Sequence, residues 1–156
     1  MERTSSPTLM IDARAVHHLG IAVRSLDAHR AYYETVLGAR FEGVEDVPEQ
    51  GVRVAFYVVG PPDAPVRLEL LEPTRDGSPV ARFLESRGEG LHHVAYAVDD
   101  IEGRLAALKA GGVRLVDEVP RDGAHGMAVA FLHPKATGGV LTELCEPRRE
   151  PPPAES

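Results

Sequence analysis

The chain has 156 residues, 43 % of them hydrophobic, enough for one ordinary domain with a sizeable core. Its formal charge of −7 excludes general nucleic-acid binding and leaves an anionic substrate dependent on a local cluster of Arg and Lys. Cys145 is the single cysteine, Met1 to Arg14 lack the apolar core of a signal peptide, and no apolar run approaches the roughly 20 residues that cross a bilayer; a cytoplasmic, disulfide-free protein outside any membrane is expected.

Residues 1–11, with Ser5, Ser6 and Pro7, read as a flexible tail. Val16 to Val23 reads as a strand; Ser25 then caps a helix over Leu26 to Leu37, ended by Gly38. Strands follow over Arg40 to Val47, Val52 to Val59 and Val66 to Leu71, separated by the turn Pro48 to Gly51 and the loop Gly60 to Pro65. This gives a βαβββ module over residues 15–73. A connector, 74–90, carries a short packing helix from Val80 to Ser86 opened by Ser78-Pro79. A second module, 91–147, repeats the plan: strand Leu91 to Val98, helix Ile101 to Ala110 stopped by Gly111-Gly112, then strands Val113 to Val119, Met127 to Leu132 and Val140 to Glu146. Residues 148–156, with Pro151, Pro152 and Pro153, read as a second flexible tail.

The modules echo each other residue by residue. Val16-His17-His18-Leu19-Gly20-Ile21-Ala22-Val23 returns as Leu91-His92-His93-Val94-Ala95-Tyr96-Ala97-Val98, and Leu68-Glu69-Leu70-Leu71-Glu72-Pro73 returns as Thr142-Glu143-Leu144-Cys145-Glu146-Pro147. His18 and Glu69 are 51 positions apart and His93 and Glu143 are 50 apart, so the register holds over a whole module. Strand alternation sets His18 beside Gly20 and Ala22, and His93 beside Ala95 and Ala97, leaving room next to each imidazole. It turns His17 and His92 to the opposite, helix-covered face. Glu69 and Glu143 stand among apolar residues, where an unpaired carboxylate is costly to bury. A lone His on a strand face is ordinarily a hydrogen-bonded core residue, but two at equivalent positions with two Glu point to a divalent metal.

These residues resemble the vicinal oxygen chelate superfamily, which includes glyoxalase I and the extradiol dioxygenases. The stretches Pro48-Glu49-Gln50-Gly51-Val52, Glu69 to Pro73, Gly88 to His93, Gly123-Ala124-His125-Gly126 and Phe131 to Lys135 with Gly138 to Leu144 are similar to the methylmalonyl-CoA epimerase family. The resemblance implies an α+β fold, with two tandem βαβββ modules forming a U-shaped eight-stranded mixed sheet around a metal site. It implies epimerisation of (2R)- and (2S)-methylmalonyl-CoA through a metal-stabilised enolate, with metal ligands His18, Glu69, His93 and Glu143 and with Glu143 as base. One divalent ion is expected, Co2+ first, with Ni2+, Mn2+, Zn2+ or Mg2+ as other occupants. Gln50, His125 and Lys135 are candidates for substrate contact, and the assembly expected from relatives is a homodimer acting on an acyl-CoA.

A cation beside the thioester oxygen stabilises the charge left when the proton at C2 departs. Inversion also asks for an acid on the opposite face of that carbon. Some relatives place a Glu in the third strand for it, but the matching position here is Val54. The substitutes are Glu49, water held by Gln50, His125 or Lys135, or Glu143 working alone. Glu72 and Glu146 read as surface carboxylates, His133 as a turn residue, and Cys145 as a buried packing thiol. Two other functions fit the same pattern: a glyoxalase-like lyase or dioxygenase, the latter needing only two His and one carboxylate, and a metal-free small-molecule binding module.

Overall fold

The computed structural model describes residues 9–148, so most of both expected tails lies outside the described residues. The elements are β1 (Ala15–Ala22), α1 (Leu26–Arg30), β2 (Arg40–Val47), β3 (Val52–Val59), β4 (Val66–Pro73), α2 (Pro79–Arg87), β5 (Gly90–Ala97), α3 (Ile101–Ala110), β6 (Arg121–Asp122), β7 (Met127–Leu132) and β8 (Thr142–Pro147). They form one eight-stranded mixed sheet in the order β2-β3-β4-β1-β5-β8-β7-β6. The order is the same read from the centre in either direction, as the duplication requires. β1 pairs with β4, and β5 with β8, in parallel; β1 and β5 pair antiparallel and join the halves.

Helices cover the outer face of each half. Val23, Leu26, Tyr33, Tyr57 and Leu70 form the core under α1, and Val98, Ile101, Leu105, Ala130 and Leu144 form its counterpart under α3. α1 runs on as a π-helical turn over Ala31–Val36, in which Leu37 N–H donates to Tyr32 O, and Gly38 at φ 77° closes it. α2 packs instead on the concave side, setting Val80 and Leu84 against Ala22, Val54, Phe56 and Leu71.

Glu72 and Glu146 are not loose surface carboxylates. Glu72 accepts from Leu26 N–H at 3.0 Å and Glu146 from Ile101 N–H at 3.2 Å. Each strand end thereby supplies an acceptor to the first turn of its module's helix, where backbone N–H groups lack partners and negative charge is favoured.

The expected strand Val113 to Val119 does not form. Only Leu115 bridges to Leu132, while the Asp117 carboxylate accepts from Phe131 N–H at 2.9 Å and so takes over a ladder bond. Pro120 cannot donate to a ladder, and pairing resumes only over Arg121 and Asp122, between the two expected strands. Val116 and Val119 are exposed, with no sheet face to bury them.

Candidate metal centre and active site

Strand register lays the four predicted ligands in two cross-strand rows. Gly20 stands between Glu69 of β4 and His93 of β5, and Ala95 stands between His18 of β1 and Glu143 of β8. Phe56 extends the first row beyond Glu69, and Phe131 extends the second beyond Glu143. Each row therefore alternates a functional side chain with a small residue, leaving the space the imidazoles fill. A Cβ added at Gly20 would collide with the His93 ring. His18, Glu69, His93 and Glu143 are each no more than 9 % exposed.

His18, His93 and Glu143 converge. His18 Nε2 and His93 Nε2 are 3.1 Å apart; Glu143 Oε2 lies 3.3 Å from His93 Nε2, and Oε1 lies 3.8 Å from His18 Nε2. Glu69 approaches from behind: its Oε2 is 2.9 Å from His18 Nδ1. With Nδ1–H of His18 donated to Glu69, the Nε2 lone pair faces the cluster, the arrangement by which a carboxylate orients a metal-binding imidazole. His93 Nδ1 is likewise 2.9 Å from His92 Nδ1, a contact that leaves its Nε2 to face inward as well. Two imidazole lone pairs and a carboxylate aimed at one point repel each other unless a cation or proton sits among them, so the donor set fits a divalent ion.

The electrostatics agree. Burial pushes the Glu143 carboxyl up to about 7. Burial holds His93 well below the ordinary histidine value and takes His92 down to about 4. For His18 burial acts against the proton, but the hydrogen bond to Glu69 and the charges of Glu69 and Glu143 outweigh it and raise the value. Burial thus favours the protonated form of Glu143 and the neighbouring carboxylates favour that of His18, and a cation bound among them would displace such a proton to solvent.

His17 and His92 do not face away, as strict alternation predicts. The β1–β5 register slips between Val16 and His18, and again between His93 and Leu91, so each His-His pair sits at a bulge whose extra residue breaks the alternation. His17 reaches the cavity wall, with Nδ1 2.9 Å from His18 Nδ1, and His92 meets Phe83 of α2 edge to face.

The site opens into a cavity of about 200 Å3 lined by Gln50, Val54, Phe56, Arg67 and His125 as well as the cluster. His125 lies flat on Phe56, ring centroids 3.9 Å apart, and Gln50 sits at the rim, half-buried. Lys135 lies apart from these, exposed on the single turn Pro134–Ala136 whose N-terminus His133 caps. Cys145 is buried on the cavity side, its thiol pushed up to about 12 by burial. Arg67 is the wall residue not singled out from the sequence, although it shares the strand parity of Glu69.

A family model for the Glyoxalase/Bleomycin resistance protein/Dioxygenase superfamily matches residues 17–131. The ethylmalonyl-CoA/methylmalonyl-CoA epimerase of Cereibacter sphaeroides is 42 % identical over 131 residues, 83 % of this chain and 95 % of that protein. The mitochondrial methylmalonyl-CoA epimerase of Homo sapiens is 40 % identical over 130 residues, 83 % of this chain and 72 % of its own length. A Streptomyces coelicolor methylmalonyl-CoA epimerase variant solved in complex with 2-nitronate-propionyl-CoA superimposes with a TM-score of 0.81 at 38 % identity, covering 88 % of this chain and 100 % of that one. The chain therefore belongs to the glyoxalase/bleomycin resistance protein/dioxygenase superfamily and, within it, to the methylmalonyl-CoA epimerases.

Proposed function

We propose that this protein interconverts (2R)- and (2S)-methylmalonyl-CoA and needs one divalent ion to do so. The observation that carries the reading is the convergence of His18, His93 and Glu143 at the floor of a cavity in a chain of this family. These three residues hold the ion, and Glu69 joins them or fixes His18 for them. Co2+ is the favoured occupant, since mixed imidazole and carboxylate donors suit it; Ni2+, Mn2+, Zn2+ and Mg2+ are the alternatives. When bound, the ion supplies a Lewis acid beside the thioester oxygen.

The chain's own residues do the rest. The cavity has room for a small acyl group, so a nucleotide carrier must lie outside it; Gln50 and Arg67 are the polar groups of the cavity wall that meet the substrate's anionic parts, and Lys135, exposed on its separate turn, is the cation left for the carrier. Glu143 takes the proton from C2, a step worth about 10² to 10⁴ in rate, and the electron pair passes into the enolate. Phe56 and Val54 keep water from that carbon.

The protein acts as a homodimer in the cytoplasm. The solvent-facing apolar side chains of Val16 and Leu91, on the two paired central strands, support the first part, and the single buried thiol supports the second. Among the described residues no helix is long and apolar enough to cross a membrane. The test is an assay of methylmalonyl-CoA interconversion by protein stripped of metal and then reloaded. Turnover that appears only on reloading supports the proposal; no turnover with any of the five ions rejects it.

A further inference from the structure

Inversion at C2 requires a proton to reach the face opposite the one it left. Glu143, on β8, belongs to the module-two wall of the cavity. The wall across from it is β3, where Val54 and Phe56 face inward and neither can carry a proton. Over that wall lies the loop Gly123–Gly126, which belongs to module two but reaches across the mouth of the U to module one. Glu45 of β2 accepts from His125 N–H at 2.9 Å, and the imidazole is stacked on Phe56. The loop holds His125 at φ 55°, a left-handed conformation that a side-chain-bearing residue adopts at a cost.

We infer that His125 is the second acid–base residue of the reaction, facing Glu143 across the cavity; the inference rests on the epimerase reading of this site. The other titratable groups on the wall are already committed. Arg67 does not release its proton at working pH. Tyr57 packs against Tyr33 on the outer face, and His17 is tied to His18. The Cys145 thiol is buried and turned to Tyr96 O, 3.5 Å away. Imidazole is the side chain suited both to give and to take a proton near neutral pH; Glu45 Oε2 lies 4.0 Å from Nε2 of this one, and half of the side chain stays open to solvent, which can reset it.

The step balances. Carboxylate Glu143 takes the C2 proton while the C–H electron pair enters the enolate; imidazolium His125 then gives its N–H proton to the other face of C2, and the enolate pair forms the new C–H bond. In the reverse direction neutral His125 takes the proton and protonated Glu143 returns one.

The test uses metal-loaded wild type, His125→Gln and His125→Phe in deuterated water, each given pure 2R and pure 2S substrate. His125→Phe can keep a stack on Phe56 without a transferable proton. In both variants interconversion should fall by about 10² to 10⁴. The epimer whose proton Glu143 removes should still exchange its C2 hydrogen for deuterium with retained configuration, and the other epimer should stop exchanging. Interconversion within threefold of wild type overturns the inference, and so does equal loss of exchange from both epimers, the mark of mere positioning. A wild type that neither interconverts nor exchanges either epimer overturns the epimerase reading, and this inference with it.

Discussion

Gly20 and His93 face each other across the junction of the two modules, and the His93 imidazole fills the volume a side chain at position 20 would occupy. The ligand cluster is built on that missing methyl group. Gly20→Ala must push His93 off its partners. The variant should fold and bind Co2+ about 10- to 100-fold more weakly, as read by calorimetric titration. Unchanged affinity would mean that the His93 ring has freedom the packing does not suggest.

Glu69 holds His18 Nδ1 from behind the cluster. Its loss as Glu69→Ala should weaken metal binding by about 10- to 100-fold. Spectroscopic titration with Co2+ measures this, and full affinity in the variant would remove Glu69 from the site.

Glu143 gives the metal-free protein a pH signature. A carboxyl raised from 4.5 to about 7 in the folded state contributes stability when protonated, and that contribution is lost as pH rises through 7. Glu143→Gln cannot ionise, so without metal it should be more stable than wild type at pH 8, by roughly 1–3 kcal/mol, with the gap closing at pH 5. Histidines lowered by burial act in the other direction: His92 and His93 favour the fold above the unfolded value of 6.5 and cost stability below it. Urea unfolding at the two pH values checks the sign. The metal-loaded variant should lose turnover by at least about 10².

Glu72→Ala and Glu146→Ala each remove a carboxylate from a helix start without touching the cavity. Each should cost about 1 kcal/mol in urea unfolding, and the double variant about twice that because the sites lie in different modules. Metal affinity should stay within twofold; a larger change would tie the helices to the site.

The architecture was legible because it is written twice, and the repeat also marked His18, Glu69, His93 and Glu143, the four buried side chains that the strand register brings together. What stayed hidden were departures from strict periodicity. A bulge adds one residue to a strand, and nothing in His17-His18 or His92-His93 announces it, so alternation put the first His of each pair on the wrong face. Val113 to Val119 has strand composition, but its fate turned on Asp117 reaching a backbone N–H 14 residues away. The parallel roles of Glu72 and Glu146 were present as an echo, yet their partners are helix ends that only the tertiary fold brings near. Arg67 could have been found from its parity with Glu69. The contact of His125 with Phe56 could not, since it crosses from one module to the other.

The most direct test of the central claim is to follow methylmalonyl-CoA in deuterated water with the metal-stripped protein, before and after adding Co2+. No reaction is expected before addition, and afterwards interconversion of the 2R and 2S forms with solvent deuterium entering C2. Interconversion at full rate without metal, or no exchange with any divalent ion, would contradict it.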